Sequence, residues 1–224
     1  MIADNLKSVT HRIAIACEKA GRPPESVKLV CVTKEATPAQ MQEAIDAGAA
    51  IFGESRVQDA VIKHRVVGDR VAWHFIGHLQ TNKVKDAVRI FSLIHSVDSL
   101  HLAEAIDKEA VKTGKVQDIL VQVNTSGEKE KFGISEEQLT GLILKIAALY
   151  RNISIKGLMT IAPETGESES VRPYFRELRE LRDSVNTILN KNYTILSMGM
   201  TGDFEAAIAE GATMVRIGRA IFNE

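Results

Sequence analysis

The sequence predicts an α/β protein folded as a single (β/α)8 TIM barrel with an extra N-terminal helix. Eight short apolar runs alternate with helical patterns, which implies a parallel sheet with right-handed crossovers. The 224 residues suffice for eight such units, since the fold needs about 200 at the least. Small and polar residues gather after the runs more than before them, on the side where barrels bind ligands.

In chain order, Leu6, Val9, Ile13, Ala16 and Ala20 set a helix over residues 3–20, stopped by Gly21 and Pro23-Pro24. Strand-like runs follow at Val27–Lys34, Ala50–Glu54, Ala72–Gly77, Phe91–Val97, Asp118–Asn124, Ile153–Ile161, Thr194–Met198 and Thr213–Ile217. Helical patterns fill the gaps: Pro38–Ala47, Val57–Lys63, Asn82–Val88, Leu100–Thr113, Glu136–Tyr150, Arg172–Leu189 and Phe204–Glu210. Gly48, Gly114 and Gly211 stand where helix C-caps are expected. Only Arg219–Glu224 follows the eighth strand, too short for a full closing helix. The surplus helix at residues 3–20 is therefore expected to cover the surface near strands 1 and 8. Residues 1–224 read as one domain. Arg172, Arg176, Arg179 and Arg182 recur at helical spacing with Glu177 and Glu180 between them, as on a solvated, ion-paired helix face.

Composition narrows the function classes. The chain is 45% hydrophobic and 25% charged, with 28 Lys+Arg against 29 Asp+Glu. A net charge of −1 makes no electrostatic case for nucleic acid or an anionic membrane. Cys17 and Cys31 are the only cysteines and read as core residues, with no disulfide framework or metal spacing. No signal peptide or membrane span is evident, so a cytoplasmic location and a monomer are expected.

Chemistry collects at the strand ends. The first run closes at Lys34; on this stretch alone it reads as a surface lysine at a strand end, but a partly desolvated lysine there can attack a carbonyl to form a Schiff base. After strand 7 comes Ser197-Met198-Gly199-Met200-Thr201-Gly202-Asp203, and after strand 8 Gly218-Arg219. Those two loops are where barrels often hold phosphate. Thr201 is a candidate cap of the helical pattern that follows, with backbone N–H groups free to face an anion, while Asp203 in the first turn fits the helix dipole in a purely structural capping role. A Schiff-base lysine and a phosphate cradle on one face suit pyridoxal phosphate (PLP) or a phosphorylated sugar. His74, inside the third run, reads as a core or barrel-interior histidine, whereas His78 beyond it is a site candidate. The Pro163–Pro173 connection, rich in Glu and Ser, is a candidate flap at the rim or a plain solvated loop.

Several segments resemble the PLP homeostasis protein family, single-barrel relatives of the alanine racemase N-terminal domain. They are Val32-Thr33-Lys34, Gly53–Asp59, Trp73–Lys83, Val97-Asp98-Ser99, Val123–Glu128 with Lys131 and Gly133, Gly157–Ile161, Ser197–Thr201 and Val215–Phe222. The resemblance implies that Lys34 holds PLP covalently, that Ser197 and Thr201 bind its phosphate, and that Gly218 and Arg219 add backbone N–H groups. It implies Arg216 opposite the pyridine nitrogen, Met159 against the ring and Ser55 as a polar contact near the cofactor. Ser55 stands where the family pattern has asparagine, Asp59 where it has glutamate and Thr201 where it has serine. An arginine partner favours a neutral pyridine, a weaker electron sink than a protonated one.

The expected function is therefore PLP binding on Lys34 as a Schiff base for storage, buffering or transfer to PLP-dependent apoenzymes, without strong catalysis. Two alternatives remain: a PLP-dependent amino-acid racemase, and a Schiff-base aldolase acting on a phosphosugar. A two-base racemase needs a second acid/base. Tyr150, Tyr174 and Tyr193 all lie in or beside helical patterns rather than at strand ends.

Overall fold

The run Lys28-Leu29-Val30-Cys31-Val32 forms the first strand in the computed structural model, which describes residues 1–128, 130–163 and 168–223. The strands are β1 (Lys28–Val32), β2 (Ile51–Glu54), β3 (Ala72–Phe75), β4 (Leu93–Val97), β5 (Gln117–Gln122), β6 (Ile153–Met159), β7 (Ile195–Ser197) and β8 (Met214–Ile217). Each pairs in parallel with the next, and β8 returns to β1 in the register Lys28↔Met214 to Cys31↔Ile217, closing the expected barrel. Most strands are shorter than the apolar runs that announced them. In particular β1 stops at Val32, and Lys34 lies two residues beyond it, in a turn closed by Ala36 N–H donating to Thr33 O at 2.9 Å.

The helices are α1 (Ile2–Lys19), α2 (Pro38–Asp46), α3 (Val57–Val67), α4 (Val84–Ile90), α5 (Leu100–Thr113), α6 (Glu136–Leu149), α7 (Arg172–Leu189), α8 (Phe204–Ala209) and α9 (Arg219–Phe222). Side-chain alternation along the strands makes two apolar layers. Phe52, Ile94, Ile119, Leu158 and Val215 pack outward against the helices, as does Cys31, and Cys17 of α1 joins the same layer from the helix side. Leu93, Leu120, Met159 and Met214, supported by Ile195, form a separate cluster inside the barrel.

The N-terminal helix sits where expected. It packs against α2, α8 and α9, filling the ring position left by the four-residue α9. Asn5 Nδ2 donates to Ile221 O at 3.1 Å, Arg12 pairs with Glu205 at 2.6 Å, and Arg22 Nη1 donates to Ile208 O at 3.1 Å.

The arginine face of α7 is ion-paired and partly solvated, but among the described residues its shared partner is Glu210 rather than Glu177 or Glu180. Arg172, Arg176 and Arg179 converge on Glu210 at 2.8, 2.9 and 3.1 Å. That carboxylate side chain is only 4% exposed, so the three guanidinium groups tie α7 to the end of α8. Of the Pro163–Pro173 connection proposed as a flap, residues 164–167 lie outside the described residues.

Candidate functional site

Lys34 stands at the upper mouth of the barrel, where the C-terminal strand ends open. Its side chain is 53% exposed and its Nζ lies 3.9 Å from Glu35 Oε1. The desolvated amine expected from the sequence is thus an accessible one, because the strand ends before reaching it. The turn behind it is fixed. Thr33 is fully buried, and its hydroxyl donates to Glu54 Oε1. Lys63, from α3, donates to the same carboxylate oxygen at 2.7 Å and also to Thr33 O. The peptide group preceding Lys34 is therefore clamped by a buried ion pair.

Arg216 reaches from β8 across the barrel. Its Nη1 donates to Ser197 Oγ at 2.7 Å and its Nη2 to Thr160 O at 2.9 Å, just past β6. Thr160 Oγ1 in turn donates to Val123 O at 2.9 Å and meets Thr125 Oγ1 at 3.0 Å. On the other side Ser197 Oγ lies 2.8 Å from His95 Nδ1, and His95 Nε2 lies 3.1 Å from His74 Nδ1. A guanidinium has five N–H donors and no acceptor. Two of the five are used here, leaving the rest free toward an acceptor. Burial lowers the Arg216 pKa to about 10, Asp203 acting against the shift, so the group stays cationic at neutral pH. Burial and the neighbouring His74 and Arg216 charges hold His95 neutral, its pKa well below the usual histidine value. His74 is lowered to about 4 by burial and by Lys28.

The loops after β7 and β8 turn tightly. Asp203, not Thr201, is the residue before α8, and its carboxylate accepts the Met200 N–H. The expected capping role of Thr201 is corrected accordingly. It lies in the turn, half-buried, and its hydroxyl makes no hydrogen bond among the described residues. Gly199 has φ +92°, and a Cβ there would meet Ala207 Cβ at 2.6 Å. Gly218 packs so close to the end of β1 that a Cβ would meet Val32 O at 3.0 Å, which places the β8 loop beside the turn carrying Lys34. The backbone N–H groups of Thr201, Gly202, Gly218 and Arg219 find no acceptor among the described residues. Together they form a donor set of the kind that receives an anion.

Other expected residues fall differently. Ser197 is fully buried and its hydroxyl belongs to the Arg216–His95 chain inside the barrel rather than to the anion loops. Met159 is fully buried in the interior cluster, its backbone paired with Ser197. Ser55 is half-buried just past β2, in a small recess with Arg56, His78 and Lys83. The His78 ring stacks on Phe132 at 3.8 Å between centroids, outside the barrel centre. Tyr150 caps α6, Tyr174 lies in α7, and Tyr193 is buried ahead of β7, so none stands at a C-terminal strand end.

Three contributors escaped the sequence reading. His95 lies inside an apolar run, and its alternation with Leu93 against Ile94 was its only signal. Glu54 and Lys63 are nine residues apart on different elements, and no periodicity connects a strand end with a helix side.

A profile of the family described as alanine racemase, N-terminal domain, matches residues 5–224. A pyridoxal phosphate homeostasis protein of Aquifex aeolicus is 46% identical over 222 residues, covering 99% of this chain and 97% of the relative. A crystal structure of an unknown protein from Bifidobacterium adolescentis superposes with a TM-score of 0.92 at 38% identity, covering 99% of this chain and 94% of the other. PipY of Synechococcus elongatus, solved with PLP bound, gives a TM-score of 0.87 at 34% identity over all of both chains.

Proposed function

The chain belongs to the alanine racemase N-terminal domain family and, within it, to the pyridoxal phosphate homeostasis proteins; from that premise we propose that it holds PLP reversibly at the upper mouth and serves intracellular PLP homeostasis. PLP brings an aldehyde for an amine, a phosphate for N–H donors and a pyridine nitrogen for a single hydrogen-bond donor. The residues present fit all three. Lys34 offers an accessible amine beside the β8 loop, and the Schiff base is assigned to it. The free N–H groups of Thr201, Gly202, Gly218 and Arg219 are assigned to the phosphate, with the Thr201 hydroxyl beside them. The unused donors of Arg216 are assigned to the pyridine nitrogen, which accepts only while unprotonated. Ser197 acts through Arg216 in this reading, Met159 lies beneath the ring, and Ser55 completes the rim.

The observation that carries the reading is the accessible lysine beside an open N–H cradle, with a buried arginine sharing the same mouth. Racemisation needs a second acid/base, and the three tyrosines lie away from that mouth. Storage, buffering or delivery to apoenzymes by a monomer is therefore the role proposed, in the cytoplasm. Among the described residues no helix is long and apolar enough to cross a membrane.

Titration with PLP followed by visible absorbance tests this. The protein is expected to develop a protein-bound band that borohydride bleaches, and Lys34→Ala to lose it while remaining folded. No band on the unaltered chain would sink the PLP reading, and a full band on Lys34→Ala would move the attachment elsewhere. Racemisation of an amino acid that depends on Lys34 would overturn the non-catalytic assignment.

A further inference from the structure

The lower mouth of the barrel, at the N-terminal strand ends, opens into a cavity of about 1240 Å³. This face of a barrel ordinarily serves stability rather than binding. Here it is left open by small residues. The turn Ala47-Gly48-Ala49-Ala50 and Ala72 of β3 present little side chain to fill it. The wall is apolar, formed by Ile51, Leu93, Ile195 and Met214, with α1 along one side. His74 lines its depth, a ring whose Nδ1 is already engaged by His95 Nε2 at 3.1 Å.

The rim carries charge of one sign in excess. Lys7, Lys28 and Lys156 reach it, against Asp118 alone among its acidic groups. Lys156 pairs with Asp118 at 3.3 Å. Lys7 and Lys28 form no ion pair among the described residues, so two cations remain uncompensated at the edge of an apolar cleft. A concave apolar site with a few convergent polar groups is the usual form of a small-molecule pocket.

We infer that the lower mouth is a second ligand site, taking a small organic anion whose apolar body enters between the strands and whose charged end meets Lys28 and Lys7. The geometry favours a slender molecule over a protein segment, because the depth of the cleft lies within the ring of eight strands. The site lies at the end of the barrel opposite Lys34 and the anion loops. Its occupant touches His74, the far member of the chain through His95 and Ser197 to Arg216.

The probe is anilinonaphthalene sulfonate, an anion with an apolar body, titrated into the full chain by fluorescence. Saturable enhancement is expected, with affinity reduced at least tenfold by Lys28→Glu and by Ala72→Phe and unchanged by Lys34→Ala. In protein carrying ¹⁵N-labelled histidine, the His74 imidazole signals, assigned with His74→Gln, are expected to move during the same titration. Lys28 is exposed, so Lys28→Glu keeps the test valid where Ala72→Phe disturbs folding. Affinity unchanged in Lys28→Glu, or His74 signals that stay fixed at saturation, would overturn the site.

Discussion

His95 of β4 and Ser197 of β7 meet inside the barrel, with the imidazole Nδ1 2.8 Å from the hydroxyl Oγ. Arg216 donates to that same oxygen at 2.7 Å and has no acceptor to offer in return. The hydroxyl proton therefore has one partner, the His95 Nδ1, and His95 carries its own proton on Nε2. That proton points at His74 Nδ1, 3.1 Å away, so His74 is also protonated on Nε2 alone. The opposite assignment would leave the serine proton in a buried site without an acceptor, at a cost of about 1–3 kcal/mol. Nitrogen NMR is expected to show both imidazoles as neutral Nε2–H tautomers at pH 7.

The same pair makes stability pH-dependent. His74 titrates near 4 in the fold against an ordinary value of 6.5, so between those values the unfolded chain binds more protons. Stability is thus fully present above pH 6.5 and falls as the pH drops toward 4, by up to roughly 3 kcal/mol from this group. Urea unfolding between pH 7 and pH 4.5 is expected to show a falling midpoint, and His74→Gln a shallower fall, with the buried His95 keeping its own contribution. Equal slopes for both proteins would refute the assignment.

Behind the Lys34 turn, Glu54 is fully buried and accepts from both Lys63 and Thr33 on one oxygen, while its Oε2 has no partner among the described residues. Removing one member of a buried pair costs about 3–5 kcal/mol, whereas removing both charges is far milder. Lys63→Met is expected to destabilise the protein strongly by denaturant unfolding and to weaken the Lys34 absorbance band. Lys63→Met combined with Glu54→Gln should recover most of the stability. If it recovers none, the pair's charge is not what holds the turn.

How far the sequence reached depended on whether a feature was periodic. Eight apolar runs gave every strand because a short apolar run is a local signal, and the surplus of Leu6, Val9 and Ile13 placed α1. Lys34, Arg216 and Gly218 were legible as strand-end residues. The extent of β1 was not, because Thr33 looks like strand until its hydroxyl is seen turned to Glu54. Nor was the start of α8, since Thr201 and Asp203 are equally good capping types, and the fold puts Asp203 at the N-cap position with its carboxylate turned back to the Met200 N–H rather than onto the helix. Pairings across the barrel, such as His95 with Ser197, have no sequence signature at all, being set by closure of the sheet.

The arginine clamp on Glu210 gives a prediction at the opposite edge of the fold. Burial pushes this carboxyl upward, but hydrogen bonds from Arg176 and Arg172 outweigh it and hold it below the usual 4.5. A carboxylate with a depressed pKa stabilises the fold above its unfolded value and loses that contribution as the pH falls through the folded one. Glu210→Gln is expected to lower stability by about 2 kcal/mol at pH 7, in line with the loss of charge-assisted hydrogen bonds. The difference from the unaltered chain should shrink below pH 4, and thermal unfolding at the two pH values measures it.

The anion loops separate two roles that the sequence had merged in one residue. Asp203 is 2.5 Å from the Met200 N–H and shapes the turn, while the Thr201 hydroxyl has no partner among the described residues. If Thr201 serves a bound phosphate, Thr201→Ser should keep PLP affinity and Thr201→Val should lose about tenfold, the equivalent of about 1.4 kcal/mol. Neither change should alter thermal stability in the absence of PLP, because no internal bond is broken. Asp203→Ala should behave oppositely, lowering stability by freeing the Met200 N–H and disturbing the cradle only through the turn's shape. Gly199, with its positive φ and Ala207 beside it, cannot compensate by moving toward α8. Equal losses of PLP affinity in Thr201→Ser and Thr201→Val would mean that the side chain's size, not its hydroxyl, is what the phosphate meets.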